Sequence, residues 1–525
     1  GTLASSLYWF TGGADGGTPN GLTLASNGVL YGTTQTGGDY GGGTVFSVMA
    51  DGVFQTLVQF ATTNGSNPQA ALTQGADGNF YGTTEGGGTN GDGTVFKMTP
   101  DGALTTLVAF TNATSANPYV ALVQGTNGNF YGATQNGSRP GDGNIFEMTP
   151  AGSLNVIYSF TGGQDGNEPI GALARGTDGN FYATTTAGCA HNYGGVFRMT
   201  PDGALTNLYS FTGTADGYNP YGALVQGTDG FFYGVTRRNV IANLPFYGTI
   251  FKFSTNGTLT TLYANNPSIT GDGEYPFAGL IQGADGNFYG TTLYGSSTMN
   301  GTVFRVTAAG DYATLTTFNG SDDGAQSKAA MVQDAEGNFY GTTTAGGPYG
   351  KGSIFRLSIT SAPQITLQPS NQTALIGSVA QFSVSVFGAS PLGYQWQKNG
   401  GNVMDDGRIV GAASRILTIN DVSANDAGTY SVIVSNGLGS VVSSDAVLTV
   451  AGPPVLQSVV TGAGTLAFTW SAATGESYEV QTTTNLASTN WLDLGGIMTA
   501  TNTNMSGSFG IGSNSQQFYR VLLLP

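Results

Sequence analysis

The sequence predicts an all-β protein: a seven-bladed β-propeller closed by its own N-terminal strand, followed by two β-sandwich domains. Three observations predict it. A unit of about fifty residues recurs seven times, each unit holds four short apolar or alternating runs, and the pattern changes after Leu357. The 85 glycines and the low charged fraction of 9% agree with a turn-rich β protein rather than a helical one.

The repeat is plainest in "GADGNFYGTT", which stands at residues 75–84 and again, unchanged, at 283–292. Varied copies place a tyrosine at Tyr31, Tyr81, Tyr131, Tyr182, Tyr233, Tyr289 and Tyr340, with the longest interval at the fifth copy. A second motif ends in Phe46, Phe96, Phe146, Phe197, Phe251, Phe304 and Phe355, as in "GTVFKMTPDG". A third, of the type "TLVQF", ends in Phe60, Phe110, Phe160, Phe211, Tyr263 and Phe318. Runs such as "AALTQ", "NFYGTT", "GTVFKMT" and "LTTLVAF", parted by turns at Asp77-Gly78 and Pro100-Asp101-Gly102, are four strands, and four strands at this period make a propeller blade. Adjacent aromatics such as Phe80 and Tyr81 suit a sheet buried on both faces, and Gly82 leaves room for a neighbouring ring. The segment reads as a repeated wall.

The third motif occurs six times against seven of the others, so the last copy lacks its fourth strand. "SSLYWFTGGADG", ending its apolar run in Phe10, matches "NLYSFTGTADG" and is expected to supply that strand. Closure of this kind removes an open sheet edge.

"GTDGNFYATT", "GGVFRMTPDG" and "TNLYSFTG" resemble the GloVer-type tandem repeat found in secreted bacterial proteins, over about residues 1–358. The resemblance implies a propeller-like fold and export, and no particular activity. Residues 362–450 resemble an I-set immunoglobulin domain: Trp396 in "YQWQKNG" fits the buried strand-C tryptophan, and Tyr430 after "NDAGT" fits the tyrosine corner. Val384 and Val432 stand where the paired cysteines usually do. Residues 453–525, with Trp470, Tyr478 and Trp491 as expected core, resemble a fibronectin type III module.

Composition narrows function. There are 31 acidic against 15 basic residues, a net charge of −16, and no basic run, which argues against nucleic acid and anionic membrane as partners. The single cysteine, Cys189, excludes an intrachain disulfide, and no apolar run reaches the length of a membrane span. The chain opens on Gly1 rather than methionine and shows no signal peptide, so it is expected to be a processed form of a secreted protein, extracellular or at the cell surface.

Chemistry is expected on one propeller face. The "ADGN" and "TPDG" turns are uniform, whereas "AGCAHNYGG", "RRNVIANLPFYG", "TGGQDGNEP" and "ITGDGEYP" vary, and loops on a rigid scaffold are where binding groups collect. The candidate ligand-binding residues are His191, Tyr193, Arg237, Arg238, Tyr247, Asp272 and Glu274. His191 with Cys189 lacks the further soft ligands of a zinc site. Asp15, Asp165, Asp216, Asp272 and Asp323 recur before glycine, where each either caps its own turn or helps hold calcium. No other cofactor is expected. Arg237 and Arg238 with Tyr247 either grip an acidic sugar or are solvated loop residues. Glu168, Asp272 and Glu274 are the carboxylates a glycoside hydrolase could draw on, and His191, Tyr193, Arg237 and Arg238 are the groups a lyase could use. No catalytic residue is assigned. The expected function is that of a non-catalytic structural or adhesive protein, able to self-assemble into a filament or surface layer, with copies of itself or extracellular glycans as partners; the alternative is a carbohydrate-binding protein or carbohydrate-active enzyme.

Overall fold

A computed structural model describes residues 2–524 apart from 112–115, 137–141, 239, 242–243, 246, 267–268, 270, 296–298, 453, 463, 473–476, 488–489 and 512–515. Among the described residues the helical content is one 3-10 turn, Ala424–Asp426. The chain forms two compact units. One is Gly1–Leu367 with Ser385–Leu392 and Asn436–Gly439, and the other is Gln368–Val384, Gly393–Ser435 and Ser440–Pro525.

Among the described residues the first unit contains seven antiparallel sheets of four or five strands, one for each copy of the repeat, besides two two-stranded ones. The first is Gly17–Leu24, Leu30–Thr36, Thr44–Val48 and Phe54–Gln59, paired in chain order. In three later copies the first strand is split in two, as in Ala116–Pro118 and Val123–Gln124. The seventh sheet runs Val332–Gln333, Phe339–Thr343, Ser353–Ile359 and then Thr2–Trp9, whose register extends from Thr2 opposite Ile359 to Trp9 opposite Ser353. The fourth strand of the last sheet thus comes from the start of the chain.

The "FYG" triplet fixes how the sheets meet. Phe80 and Tyr81 are both fully buried because each face of the strand is covered. Tyr81 stacks on Phe130 of the following sheet with ring centroids 3.9 Å apart. The same step recurs from Tyr31 to Phe80, Tyr131 to Phe181, Tyr182 to Phe232, Tyr233 to Phe288 and Tyr289 to Phe339. Each such pair adds about 0.5–1.5 kcal/mol beyond its buried area. In the first copy Leu30 replaces the phenylalanine, and it shares a cluster with Tyr340, Phe10 and Phe46, so the seventh sheet packs on the first. Thr342 Oγ1 donates to the Asn20 carbonyl at 2.8 Å across the same junction. Gly82 is required by Phe96 on the adjacent strand of its own sheet: a Cβ there would lie 2.5 Å from Phe96 Cζ.

Each buried tyrosine is anchored at its hydroxyl. Tyr81, Tyr182, Tyr233 and Tyr340 donate to Asp77, Asp178, Asp229 and Asp334 at 2.6–2.9 Å. Burial together with the Asp178 carboxylate pushes Tyr182 up to about 12. A cation faces the pair from the third strand, as in the 2.8 Å ion pair of Lys97 with Asp77. Burial would raise the Asp77 carboxyl, but hydrogen bonds from Lys97, Asn79 and Tyr81 outweigh it and hold it below the usual range. The third copy departs from this: Asn127 replaces the aspartate, and Tyr131 donates instead to Glu147 at 2.9 Å.

The second unit includes most of the immunoglobulin-like region. Its larger sheet joins Gln372–Leu375, Ala446–Ala451, Gly428–Asn436 and Gly393–Lys398, the first pair parallel; the smaller joins Ala380–Ser383, Ile416–Ile419 and Ile409–Val410. Trp396 is fully buried and donates from Nε1 to the Ser414 carbonyl at 2.8 Å. Tyr430 donates to the Asp426 carbonyl at 2.7 Å, the corner hydrogen bond its motif predicts. Val384 and Val432 are buried at the positions left by the cysteines.

Toward the C-terminus, Leu456–Gly462, Thr465–Ser471 and Asn504–Gly510 make one sheet, and Ser477–Thr483 with Leu492–Asp493, Met498–Thr499 and Phe518–Leu523 another. Trp470 and Tyr478 share their core with Phe468 and Val480. Trp491 does not belong to it: the ring is half-buried and lies under the Arg520 guanidinium at 4.2 Å. A cation at the surface covers this indole, and sequence alone does not separate that use of tryptophan from a core one.

Candidate binding site where seven sheets converge

Segments of all seven copies, within or just before the first strand of each sheet or between the halves of a split one, line one cavity of about 210 Å³. Seven chain segments can crowd around one small cavity only where side chains are small. Accordingly the lining includes Gly21, Ala71, Ala121, Ala172, Gly222, Gly279 and Ala329. A Cβ on Gly222 would stand 2.6 Å from the Gly279 backbone nitrogen.

One residue per copy escapes this economy. In six copies a proline is followed by a residue of varying type, giving Asn20, Gln69, Tyr119, Ile170, Tyr221 and Phe277; in the seventh Lys328 follows Ser327. All seven line this cavity or the adjoining pocket of about 150 Å³ at its mouth. The backbone that delivers them is strained. Thr18, Asn67, Asn117, Glu168, Asn219, Tyr275 and Gln326, each two residues earlier, all have φ between 51° and 60°. Asparagine tolerates this left-handed region; β-branched threonine does not. Thr18→Asn is therefore expected to raise stability by about 0.5–1 kcal/mol, measured as a shift in the denaturant midpoint. An unchanged or lower midpoint would refute the strain assignment.

The aromatic members gather on one side. Tyr221 and Phe277 stand 4.3 Å apart, and the Arg237 guanidinium lies 5.7 Å from Phe277 and 5.8 Å from both Tyr221 and Tyr275. Burial pushes the Tyr119 hydroxyl up to about 12, with Tyr221 and Glu85 adding to it. Burial raises Tyr221 as well, opposed by Arg237.

The structure separates the residues nominated from sequence. Arg237 is not a solvated loop residue: it is half-buried at the end of the strand Phe232–Arg238, where Arg238 pairs in register with Tyr218. Tyr193 packs on Tyr218 at 5.3 Å. His191 is exposed. Burial pushes the Cys189 thiol up, which disfavours the thiolate a nucleophile needs. Tyr247 is half-buried beyond an insertion of which residues 239, 242, 243 and 246 lie outside the described residues.

Asp272 is buried and occupied. It accepts from Tyr263 at 2.9 Å, from the Asn266 amide at 2.7 Å and from the Gly273 amide at 2.9 Å. Asp15, Asp165 and Asp216 do the same for Tyr8, Tyr158 and Tyr209 and for the amides of Thr11, Thr161 and Thr212. Asp323 accepts from the Asn319 amide at 2.7 Å. These carboxylates close the turns in which they sit. No group of three His, Cys, Asp or Glu side chains converges among the described residues. Glu274 is raised by burial and then by Asp272, while Glu168 accepts from Thr186 Oγ1 at 2.9 Å.

Sequence reasoning missed Tyr119, Tyr221, Phe277 and Lys328. Their signal was present as the single varying position after an otherwise constant proline step, but it is visible only once the copies are seen to line one cavity.

A model of the Gloeobacter/Verrucomicrobia repeat matches residues 1–177, 102–282, 152–355 and 246–403, and an immunoglobulin I-set model matches 363–450. Tyrosine-protein phosphatase Lar of Drosophila melanogaster is 34% identical over 100 residues, which are 17% of this chain and 5% of that protein. The chain therefore spans only a small part of that relative's length. Among solved structures, titin M4 is 26% identical over 18% of this chain and all of its own, at a TM-score of 0.17. The tandem Ig repeats of Dlar are 17% identical over 23% of this chain and 74% of their own, also at 0.17. With repeat matches extending over more than half of its length, the chain belongs to the Gloeobacter/Verrucomicrobia repeat family.

Proposed function

We propose that this is a non-catalytic, secreted structural or adhesive protein, in which a seven-bladed β-propeller carries an immunoglobulin-like and a fibronectin type III-like sandwich. One observation carries the reading: the groups that recur in the repeat are spent on architecture. Tyrosine hydroxyls close onto turn aspartates, and the aspartates between sheets close onto their own turns. Stacking of each sheet on the next, and of the seventh on the first, supports the propeller.

Self-assembly has its own support. Among the described residues Leu456–Gly462 is an edge strand paired only with Thr465–Ser471, and Leu456, Val459 and Val460 are exposed along it. Leu456 and Val459 border a groove of about 270 Å³ with Phe468 and Val521. An uncharged apolar edge is a template for another strand. A second copy of this chain is the proposed occupant. Negative-stain electron microscopy and sedimentation of the purified chain are expected to show ordered polymers that a Val459→Lys, Val460→Lys variant no longer forms. A stable monomer at high concentration would overturn assembly. Incubation with plant and microbial polysaccharides is expected to release no sugar; release would overturn the non-catalytic reading.

A further inference from the structure

We propose that the mouth of the central cavity binds a carboxylated sugar ring of an acidic glycan, which gives the adhesive reading above, on which it rests, a ligand class. The varying position supplies an ordered set around the axis. Sheets three to six present Tyr119, Ile170, Tyr221 and Phe277, and sheets seven, one and two present Lys328, Asn20 and Gln69. One arc is apolar and mostly aromatic; the facing arc is polar and cationic. A pyranose has that division, with C–H faces that lie on rings and hydroxyls that need donors and acceptors. The pocket of about 150 Å³ is smaller than the sites that hold drug-sized ligands, and suits a single ring.

The charge of the ligand is set by Lys328, which lines both cavities, together with Arg237, which lines neither but stands against Tyr221 and Phe277 of the aromatic arc. Its guanidinium lies over Tyr221, Tyr275 and Phe277, and its Nε is buried without a hydrogen-bond partner. A carboxylate is the group that pairs with an ammonium and matches the fork of a guanidinium. The nearby protein carboxylates do not fill that role. Glu168 is held by Thr186 and Glu85 by Gln69 Nε2 at 2.6 Å. Those same acids, with Glu274, disfavour a dianionic phosphate more than a singly charged carboxylate. Around a chain of net charge −16, this cation has retained its place without an acidic partner on the described residues.

Titration calorimetry with the whole chain tests the proposal, using trimeric galacturonate, trimeric mannuronate, neutral galactotriose and glucose 6-phosphate as probes. At least one acidic trimer is expected to bind tenfold or more tighter than galactotriose, and Arg237→Gln to cut that affinity at least tenfold with an unchanged melting temperature. If that variant fails to fold, Lys328→Gln, at an exposed side chain, is expected to cost at least threefold. Absence of binding by both acidic trimers at millimolar concentration would overturn the site and leave the structural reading standing. Equal affinity for galactotriose, or stronger binding of glucose 6-phosphate, would overturn the carboxylate assignment. Cleavage of a bound trimer would support the site while overturning the non-catalytic reading.

Discussion

Removing residues 2–10 is expected to abolish the folded monomeric state of the N-terminal unit, the largest effect of any small change to this chain. Among the described residues the deleted strand is the only partner of one edge of Ser353–Ile359. It also brings Phe10, fully buried against Phe46 at 5.3 Å, and Tyr8, stacked on Phe54 at 3.9 Å. Loss of one buried phenylalanine costs about 3–5 kcal/mol, and whole domains are stable by about 5–15 kcal/mol. Adding the ladder hydrogen bonds and the Tyr8 contact brings the loss to the scale of the total. Size-exclusion chromatography is expected to show aggregates, and circular dichroism a lost or broadened transition. A soluble monomer melting within about 2 °C of the parent would show that the strand contributes little.

Trp396→Ala is expected to destabilise the immunoglobulin-like region by about 3–5 kcal/mol. The indole fills the space between Phe382 and the two sheets, and its removal leaves the Ser414 carbonyl without its donor. Domains of this type commonly carry a disulfide beside the tryptophan. Here Val384 and Val432 occupy the space and no cross-link restrains the unfolded chain. Limited proteolysis followed by mass spectrometry is expected to cut first within residues 363–450 in the variant. Cleavage patterns and midpoints equal to the parent's would refute this dependence on packing.

The seven sheets of the repeat were legible because their unit recurs. Tyr31, Tyr81 and their five counterparts lie in the second strand of each of the seven sheets, since a strand covered on both faces constrains every side chain and so leaves a fixed motif. The site was legible only in part. Arg237 was found through its rarity in an acidic chain, whereas Tyr119 and Phe277 look like ordinary core aromatics in a linear reading. Asp272 and Glu274 drew notice as loop carboxylates, yet Asp272 is consumed by its own turn. A hydrogen bond to a neighbouring amide leaves no trace in composition. Seven segments from distant parts of the chain line one cavity, and no local pattern encodes that.

The turn residue and its partner on the third strand change together along the chain. Aspartate accompanies a cation at Asp77 with Lys97, Asp178 with Arg198, Asp229 with Lys252, Asp285 with Arg305 and Asp334 with Arg356; asparagine accompanies serine or glutamate at Asn27 with Ser47 and Asn127 with Glu147. A tandem array with near-identical segments runs one particular risk while it folds, which is that a strand docks in the adjacent copy, where loop closure is easiest. The third copy is guarded against that error on both sides. If its Glu147 strand were taken by the second or fourth copy, the glutamate would stand where Lys97 or Arg198 belongs and face Asp77 or Asp178, two like charges beside a buried tyrosine. Glu147 thus has two consequences: it accepts from Asn127, Asn129 and Tyr131 in the finished sheet, and its charge would oppose an out-of-order one.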